Sequence, residues 1–440
     1  MSAPHRILFH SSRGGGAGRG FSEALLEGLA RDGGLYVPGH WPHLPPEAFS
    51  GAVELPAVGE RLLAPFLEGD VLAAQLPALV HEAFNFPAPL VPLTEDARLS
   101  VLELFHGPTA AFKDFGARFL AGAFSWLRPG AGRVLTILVA TSGDTGGAVA
   151  AAFHGRPGIE VVVLFPKGRV SPTQERQLTC WGGNVRALAV RGTFDDCQRL
   201  VKEAFVDEAL RARALLSSAN SINLGRLLPQ AVYYAATSLA VWRRHGEAAS
   251  FIVPSGNLGN AVACLWARRV GLPIGDVVLA HNANRSVPDY LASGDWQPRA
   301  SLATLASAMD VGNPSNLERL RALFPHFTEL QSAVSAYSVS DAQIRARIRI
   351  GYEQYGQVWC PHTATAAEVW EHLPPGLRAA RRWVLVATAH PAKFPEIVEP
   401  LIGRAVAAPP SLAALYARAS HSTEVDANLS ALRALFEEQS

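Results

Sequence analysis

The chain alternates short unbroken apolar runs with longer stretches in which apolar residues recur every three or four positions. Runs at 134–139, 159–165, 185–190, 251–253, 277–280 and 383–387 are rich in Val, Ile and Leu and too short for ordinary helices. They predict buried strands. Helical periodicity is expected at 148–153, 194–210, 261–270 and 341–355, with a further helix ending near 244. A strand, a crossover helix and a second strand imply a parallel sheet, and such sheets gather ligands at the carboxyl ends of their strands. The first 98 residues read differently: an apolar strand at 7–9, a glycine-rich loop at 14–20, a helix at 21–29, a proline-rich stretch at 38–46 and helices to about 83. The glycine run does not fit Gly-x-Gly-x-x-Gly at any register, so a dinucleotide fingerprint is not supported.

Composition narrows the class. Of 440 residues, 49% are hydrophobic and 18% charged, a globular balance that suits two or three domains sharing a core. The formal net charge of +1 offers no handle for nucleic acid or an anionic membrane. Basic residues are therefore read singly, as ligands for small anions. Cys180, Cys197, Cys264 and Cys360 lie far apart without a Cys-x-x-Cys pair, as expected of reduced, buried thiols in the cytoplasm. No segment reaches the ~18 consecutive apolar residues of a spanning helix, and the N-terminus lacks a signal peptide's apolar core. A soluble cytoplasmic protein is expected.

One stretch organises the rest. It runs Leu102-Glu103-Leu104-Phe105-His106-Gly107-Pro108-Thr109-Ala110-Ala111-Phe112-Lys113-Asp114-Phe115-Gly116-Ala117-Arg118-Phe119-Leu120. It opens as a strand, turns at Gly107-Pro108 and is expected to become helical from about Thr109, a residue suited to an N-cap. Lys113 then falls near the start of a helix among Phe112, Phe115 and Phe119. An ammonium so poorly solvated loses its proton more readily, and a neutral amine is what a Schiff-base lysine needs. A lone lysine on an amphipathic helix is ordinarily a surface residue, so the neighbouring motifs decide the matter.

Two loops follow strands and open helices. In Ser255-Gly256-Asn257-Leu258-Gly259-Asn260 the glycines permit close backbone approach, and the next helix aims unpaired N–H groups at an anion. No Gly-Lys-Ser/Thr follows, so it is not a Walker loop. Thr141-Ser142-Gly143-Asp144-Thr145 has the same setting with more hydroxyls, which suit a carboxylate. Asn220 precedes Arg226 by six positions, and a guanidinium stays charged and can grip two phosphate oxygens at once. Thr388 follows a buried strand, where its hydroxyl can meet a ring nitrogen. His106 and His362 are further candidates as ligands or proton carriers, although a lone loop histidine is more often structural. The 14 histidines include no His-Glu-x-x-His, and no metal site is expected.

The string from Phe105 to Gly116 resembles the cofactor-lysine motif of threonine synthases, pyridoxal-phosphate enzymes that convert O-phospho-L-homoserine to L-threonine. The likeness extends from Ser12-Arg13-Gly14 through Asp32-Gly33-Gly34-Leu35-Tyr36-Val37-Pro38 to Ala389-His390-Pro391-Ala392-Lys393-Phe394. It is strongest to the longer subgroup, which carries an extra N-terminal segment. The resemblance implies an α/β fold of the tryptophan synthase β type, fold type II of the pyridoxal-phosphate enzymes. It implies two α/β domains with mainly parallel sheets: an extension at 1–98, a smaller domain at 99–235 and a larger one at 236–440. It further implies Lys113 as cofactor anchor and proton carrier, the loop from Ser255 to Asn260 around the cofactor phosphate, and Thr388 at the pyridine nitrogen. Thr141, Ser142, Gly143 and Thr145 would take the substrate carboxylate, and Asn220 and Arg226 the substrate phosphate. Asp144 would stand near the cofactor's phenolic oxygen, where shorter members carry asparagine. A carboxylate there repels a phenolate unless it is protonated or turned away. The expected partner is a small molecule, O-phospho-L-homoserine, with no nucleic acid or membrane, in a monomer or homodimer. The cofactor motifs by themselves leave open a related phospho-lyase or a dehydratase of hydroxy amino acids.

Overall fold

The apolar runs become strands covered on both faces; every residue of Leu135–Ala140 and of Ala249–Pro254 is buried. The computed structural model describes residues 6–94, 98–127, 134–141 and 143–437. In chain order its strands are β1 (Phe9–Ser11), β2 (Tyr36–Pro38), β3 (Leu90–Pro92), β4 (Leu99–Glu103), β5 (Leu135–Ala140), β6 (Ile159–Pro166), β7 (Val185–Arg191), β8 (Leu215–Ser218), β9 (Ala249–Pro254), β10 (Ile274–His281), β11 (Val334–Ser338), β12 (Arg382–Ala387) and β13 (Thr423–Asp426). One sheet has the order β13-β7-β6-β5-β8 and is parallel throughout. A second has the order β11-β10-β9-β12-β4-β3 and is parallel except for its edge strand β3. β1 and β2 form a separate antiparallel pair.

The sheets do not divide the chain cleanly at 98 and 235. β3 and β4 belong to the larger sheet, although the chain passes from β4 directly into the smaller one, and β13 returns to the edge of the smaller sheet. The chain therefore crosses between the two sheets through the Lys113 segment, again between β8 and β9, and once more between β12 and β13. Hydrophobic runs announce strands but carry no information on which distant strand will pair with them.

Three departures from the expected helices have a visible physical cause. The helix at Lys113 begins at Lys113 itself and runs to Leu127. Thr109 does not cap it: the Asp114 carboxylate reaches back to accept from the Thr109 amide and hydroxyl at 2.8 and 2.6 Å. The stretch expected as one helix at 194–210 breaks at Asp207, whose side chain caps a new helix, Glu208–Arg213, by accepting from the Leu210 amide. The helix ending near 244 is preceded by a short one, Leu224–Leu227, because Pro229 interrupts the turn before Ala231–His245.

The N-terminal residues pack over this frame rather than beside it. Phe21 meets Phe119 of the Lys113 helix edge-on at 6.4 Å, and Trp41 meets Trp266 at 5.3 Å. Fully buried Arg319 ties three regions together: it donates to the carbonyls of Tyr36, Ser221 and Ile222 and to the Asn316 side chain. All four cysteines are free and buried. Among the described residues no helix is long and apolar enough to cross a membrane.

Candidate active site

The carboxyl ends of β5, β8, β9 and β12, together with Phe112 and Lys113 beyond β4, open toward one cleft of about 2130 Å³. Its walls include Lys113, Thr145, Asn220, Arg226, Asn257 and Thr388. Residues from the first 40 positions, Ser12 and Arg13 among them, complete the wall. Arg13 and Ser12 are held there by Glu318, at 2.8 Å each.

Lys113 projects from the first position of its helix, with its Nζ 5.6 Å from the centre of the Phe112 ring. Burial, the largest influence, pushes the amine down from 10.5 to about 8; Asp144 opposes the fall, and Lys393 and Arg226 add to it. An amine so placed carries a much larger neutral fraction near physiological pH than an ordinary lysine and is mainly neutral above about 8. Gly116, one turn on, is where the helix meets the Arg226 backbone: a Cβ there would lie 2.3 Å from the Arg226 carbonyl oxygen. That close approach sets Arg226 opposite Lys113.

Asp144 opens the helix Asp144–Phe153 and is buried. Its partner was not singled out in the sequence. Lys393, fully enclosed, places its Nζ 2.7 Å from Asp144 Oδ1. Burial works against ionisation here, yet Lys393, then Lys113 and His362, hold the Asp144 carboxyl well below the usual carboxylate range. The expected conflict between an aspartate and an electron-rich ring is thus met by ion pairing, with Asp144 neither protonated nor isolated. Lys393 lies within the family-like stretch from Ala389 to Phe394, but nothing local in the sequence distinguishes it from a surface lysine.

The loop after β9 forms the cradle. Leu258 takes a left-handed conformation, φ 62°, and Gly259 begins the helix Gly259–Arg269, so that the helix N-terminus faces the cleft. Neighbouring segments fix the loop: Asn257 donates to Ser221 Oγ at 2.7 Å and accepts from the Ser315 amide, while Asn260 accepts from the hydroxyls of Tyr233 and Tyr234. Gly256 lies against the backbone of a crossing loop; a Cβ would stand 2.7 Å from Met309 Cα and 3.1 Å from the Ala308 carbonyl oxygen. Gly256→Val must displace backbone and is expected to raise the cofactor's dissociation constant by about tenfold or more, the cost of one charge-assisted contact. Equilibrium titration of cofactor absorbance, with circular dichroism to confirm the fold, reads the change.

Arg226 is buried, and its Nη1 donates to the Ala219 carbonyl, while its Nε has no hydrogen-bond partner. Asn220 donates to the Ala140 carbonyl at 3.3 Å and its buried Oδ1 is likewise unpartnered. Both residues line the cleft, so the unused donor and acceptor stand ready for a ligand. Burial lowers the Arg226 guanidinium to about 10, which leaves it charged at neutral pH.

The remaining expectations divide. Thr388 lies one residue beyond β12 and lines the cleft, as does Thr145. The Thr141 hydroxyl is spent on its own turn, accepting from the amides of Gly143 and Gly146. Gly143 supplies a φ of 147° that the turn requires. Ser142 lies outside the described residues. His362 lines the cleft, neutral because burial pushes it down to about 4, and its Nε2 accepts from the Ala308 amide at 3.1 Å. His106 is turned to Glu103, 2.7 Å away, and is not among the residues of the cleft wall. Among the described residues no cluster of metal-ligating side chains occurs.

A buried amine, a phosphate-sized helix-end cradle and parallel strands ending at a shared cleft define a pyridoxal-phosphate enzyme site, and residues 83–389 match the sequence profile of the family described as pyridoxal-phosphate dependent enzyme. Residues 8–84 match the threonine synthase N terminus and residues 363–435 the threonine synthase C-terminal region. A threonine synthase of Haemophilus influenzae is 44% identical over 422 residues, covering 94% of this chain and 96% of the relative. The crystal structure of pyridoxal-phosphate-bound threonine synthase from Brucella melitensis superposes with a TM-score of 0.90 at 36% identity, covering 99% of both chains. That of the Escherichia coli threonine synthase gives 0.88 at 36% identity, covering 98% of this chain and 100% of the other. The chain belongs to the threonine synthase family of pyridoxal-phosphate-dependent enzymes.

Proposed function

We propose that this chain converts O-phospho-L-homoserine and water to L-threonine and inorganic phosphate, with Lys113 as its cofactor lysine. The observation that carries the substrate assignment is the buried Nε of Arg226 in the cleft wall, a charged donor left without an acceptor. A hydroxy amino acid without phosphate would leave that buried guanidinium without an anion.

The chain's residues fit pyridoxal 5'-phosphate. The helix end at Gly259 suits its phosphate, the collision space at Gly256 demands a glycine, and Thr388 offers a neutral hydroxyl to its ring nitrogen. When bound, the cofactor supplies an electron sink for negative charge developing on the substrate carbons. Lys113 holds the cofactor, and its neutral amine then takes and returns protons at the substrate's α-carbon and the carbons beside it. The 141–145 loop takes the α-carboxylate through backbone amides and Thr145, since the Thr141 hydroxyl is already engaged. Arg226 grips the phosphate through its guanidinium N–H groups, with the second amide N–H of Asn220 as a further donor, and orients it to leave as water adds at the neighbouring carbon.

The near-neutral charge supports a small-molecule partner without nucleic acid or membrane, and the free cysteines support a cytoplasmic location. A monomer or homodimer is proposed. We propose the division into an extension to about 98 and two α/β domains meeting near 235 with three exchanges, β3 and β4 to the larger sheet and β13 to the smaller. The decisive assay measures phosphate and threonine together from O-phospho-L-homoserine. Equal molar release is expected; phosphate without threonine would instead indicate a phospho-lyase.

A further inference from the structure

Lysine is scarce in this chain, four among 39 basic residues, and two of the four, Lys113 and Lys393, both act on Asp144. Lys393 sits on the turn Pro391–Lys393, just beyond Thr388, and its Nζ has no access to solvent. That ammonium makes two contacts: Asp144 Oδ1 at 2.7 Å and the Thr109 carbonyl at 2.9 Å. Thr109 is in turn fixed to Asp114, the residue after Lys113. One side chain thereby joins the end of β12, the Lys113 segment and the Asp144 helix. Asp144 also receives a long contact from Gln174 Nε2, at 3.4 Å.

We propose that Lys393 is a positioning residue for Lys113: by holding Asp144 in a permanent ion pair, it keeps that carboxylate from capturing the Lys113 ammonium and leaves the amine free to react. The groups acting on Lys113 from neighbouring elements are Asp144, Lys393 and Arg226; those acting on Asp144 are Lys393, Lys113 and His362. Asp144 is the one carboxylate among the groups acting on Lys113, while Lys393 also faces the buried Asp114 carboxylate. Lys393 is enclosed and tied to Thr109, whereas Lys113 has no ion-pair partner within 4.0 Å among the described residues. The cleft therefore contains one lysine joined to the carboxylate and one lysine left without it. The inference rests on the reading of Lys113 as cofactor lysine.

The test uses the full chain stripped of cofactor. Reductive methylation with labelled formaldehyde across a pH series, quantified at the Lys113 peptide, gives the midpoint at which that amine becomes reactive. Lys393→Met is expected to raise the midpoint by about one unit or more, since Asp144 then turns to Lys113. Adding Asp144→Asn to Lys393→Met is expected to bring it back down. Asp144→Asn by itself, which changes shape least, is expected to lower the midpoint below wild type, because the Lys393 charge is then uncompensated. A merely structural pair would leave all the midpoints together in folded protein, and that result overturns the proposal. Should Lys393→Met fail to fold, the Asp144→Asn shift decides: a fall supports the proposal, and no change or a rise overturns it. Borohydride fixation of cofactor at another lysine would instead refute the underlying reading of Lys113.

Discussion

Lys113→Ala is expected to fold normally and to lose threonine formation by roughly a thousandfold or more, the scale of a missing general acid–base group combined with a lost covalent anchor. The helix it starts is secured elsewhere, by Asp114 on Thr109, by Phe115 against Phe86 at 4.4 Å and by Gly116 on the Arg226 backbone. Removing the lysine therefore takes away an amine rather than a packing element. Borohydride reduction of the wild-type holoenzyme should fix the cofactor to the peptide containing Lys113, and the variant should show no such adduct. In the wild type the rate of cofactor capture should rise with pH and level off above about 8, where the neutral amine predominates. A rate that falls across this range would contradict the assignment.

Arg226→Ala separates substrate from cofactor. Cofactor binding and its visible absorbance should persist, while turnover of O-phospho-L-homoserine falls about ten- to a hundredfold, the value of a charge-assisted contact. The loss grows if the arginine also orients the leaving group. Arg226→Lys should recover only part of it, because a point charge cannot reproduce a two-pronged grip. Any side activity on unphosphorylated amino acids should be spared. Steady-state kinetics on both substrate types reads the difference, and equal losses on the two would make Arg226 a structural residue. Its hydrogen bond to the Ala219 carbonyl is the contact through which such a structural role would act.

Local signals carried much of this protein's character. The runs that became β5, β6, β7, β9, β10 and β12 are predominantly apolar because parallel strands are covered on both faces, and that burial is written in the runs themselves. The loops after β5 and β9 were legible because a glycine-rich turn between strand and helix needs particular residues at particular positions. The string around Lys113 was legible as a family resemblance, since its length makes coincidence improbable.

Tertiary structure decided what depends on distant partners. Asp144 looked like a misplaced charge until Lys393, from the far end of the chain, was folded against it. His106 and His362 looked alike as loop histidines; one turned to Glu103 and the other was carried into the cleft by the helix Pro361–His372. The Thr141 hydroxyl looked free for a ligand and instead closes its own turn, which only the φ of Gly143 makes possible. β4 and β13 joined sheets that their sequence positions did not suggest. Arg319 became a tie between the extension and the Ser221–Ile222 loop through carbonyls, groups that every residue possesses and no sequence pattern marks. Burial and periodicity are properties of a segment, whereas pairing, desolvation and charge balance are properties of a neighbourhood, and the neighbourhood exists only once the chain has folded.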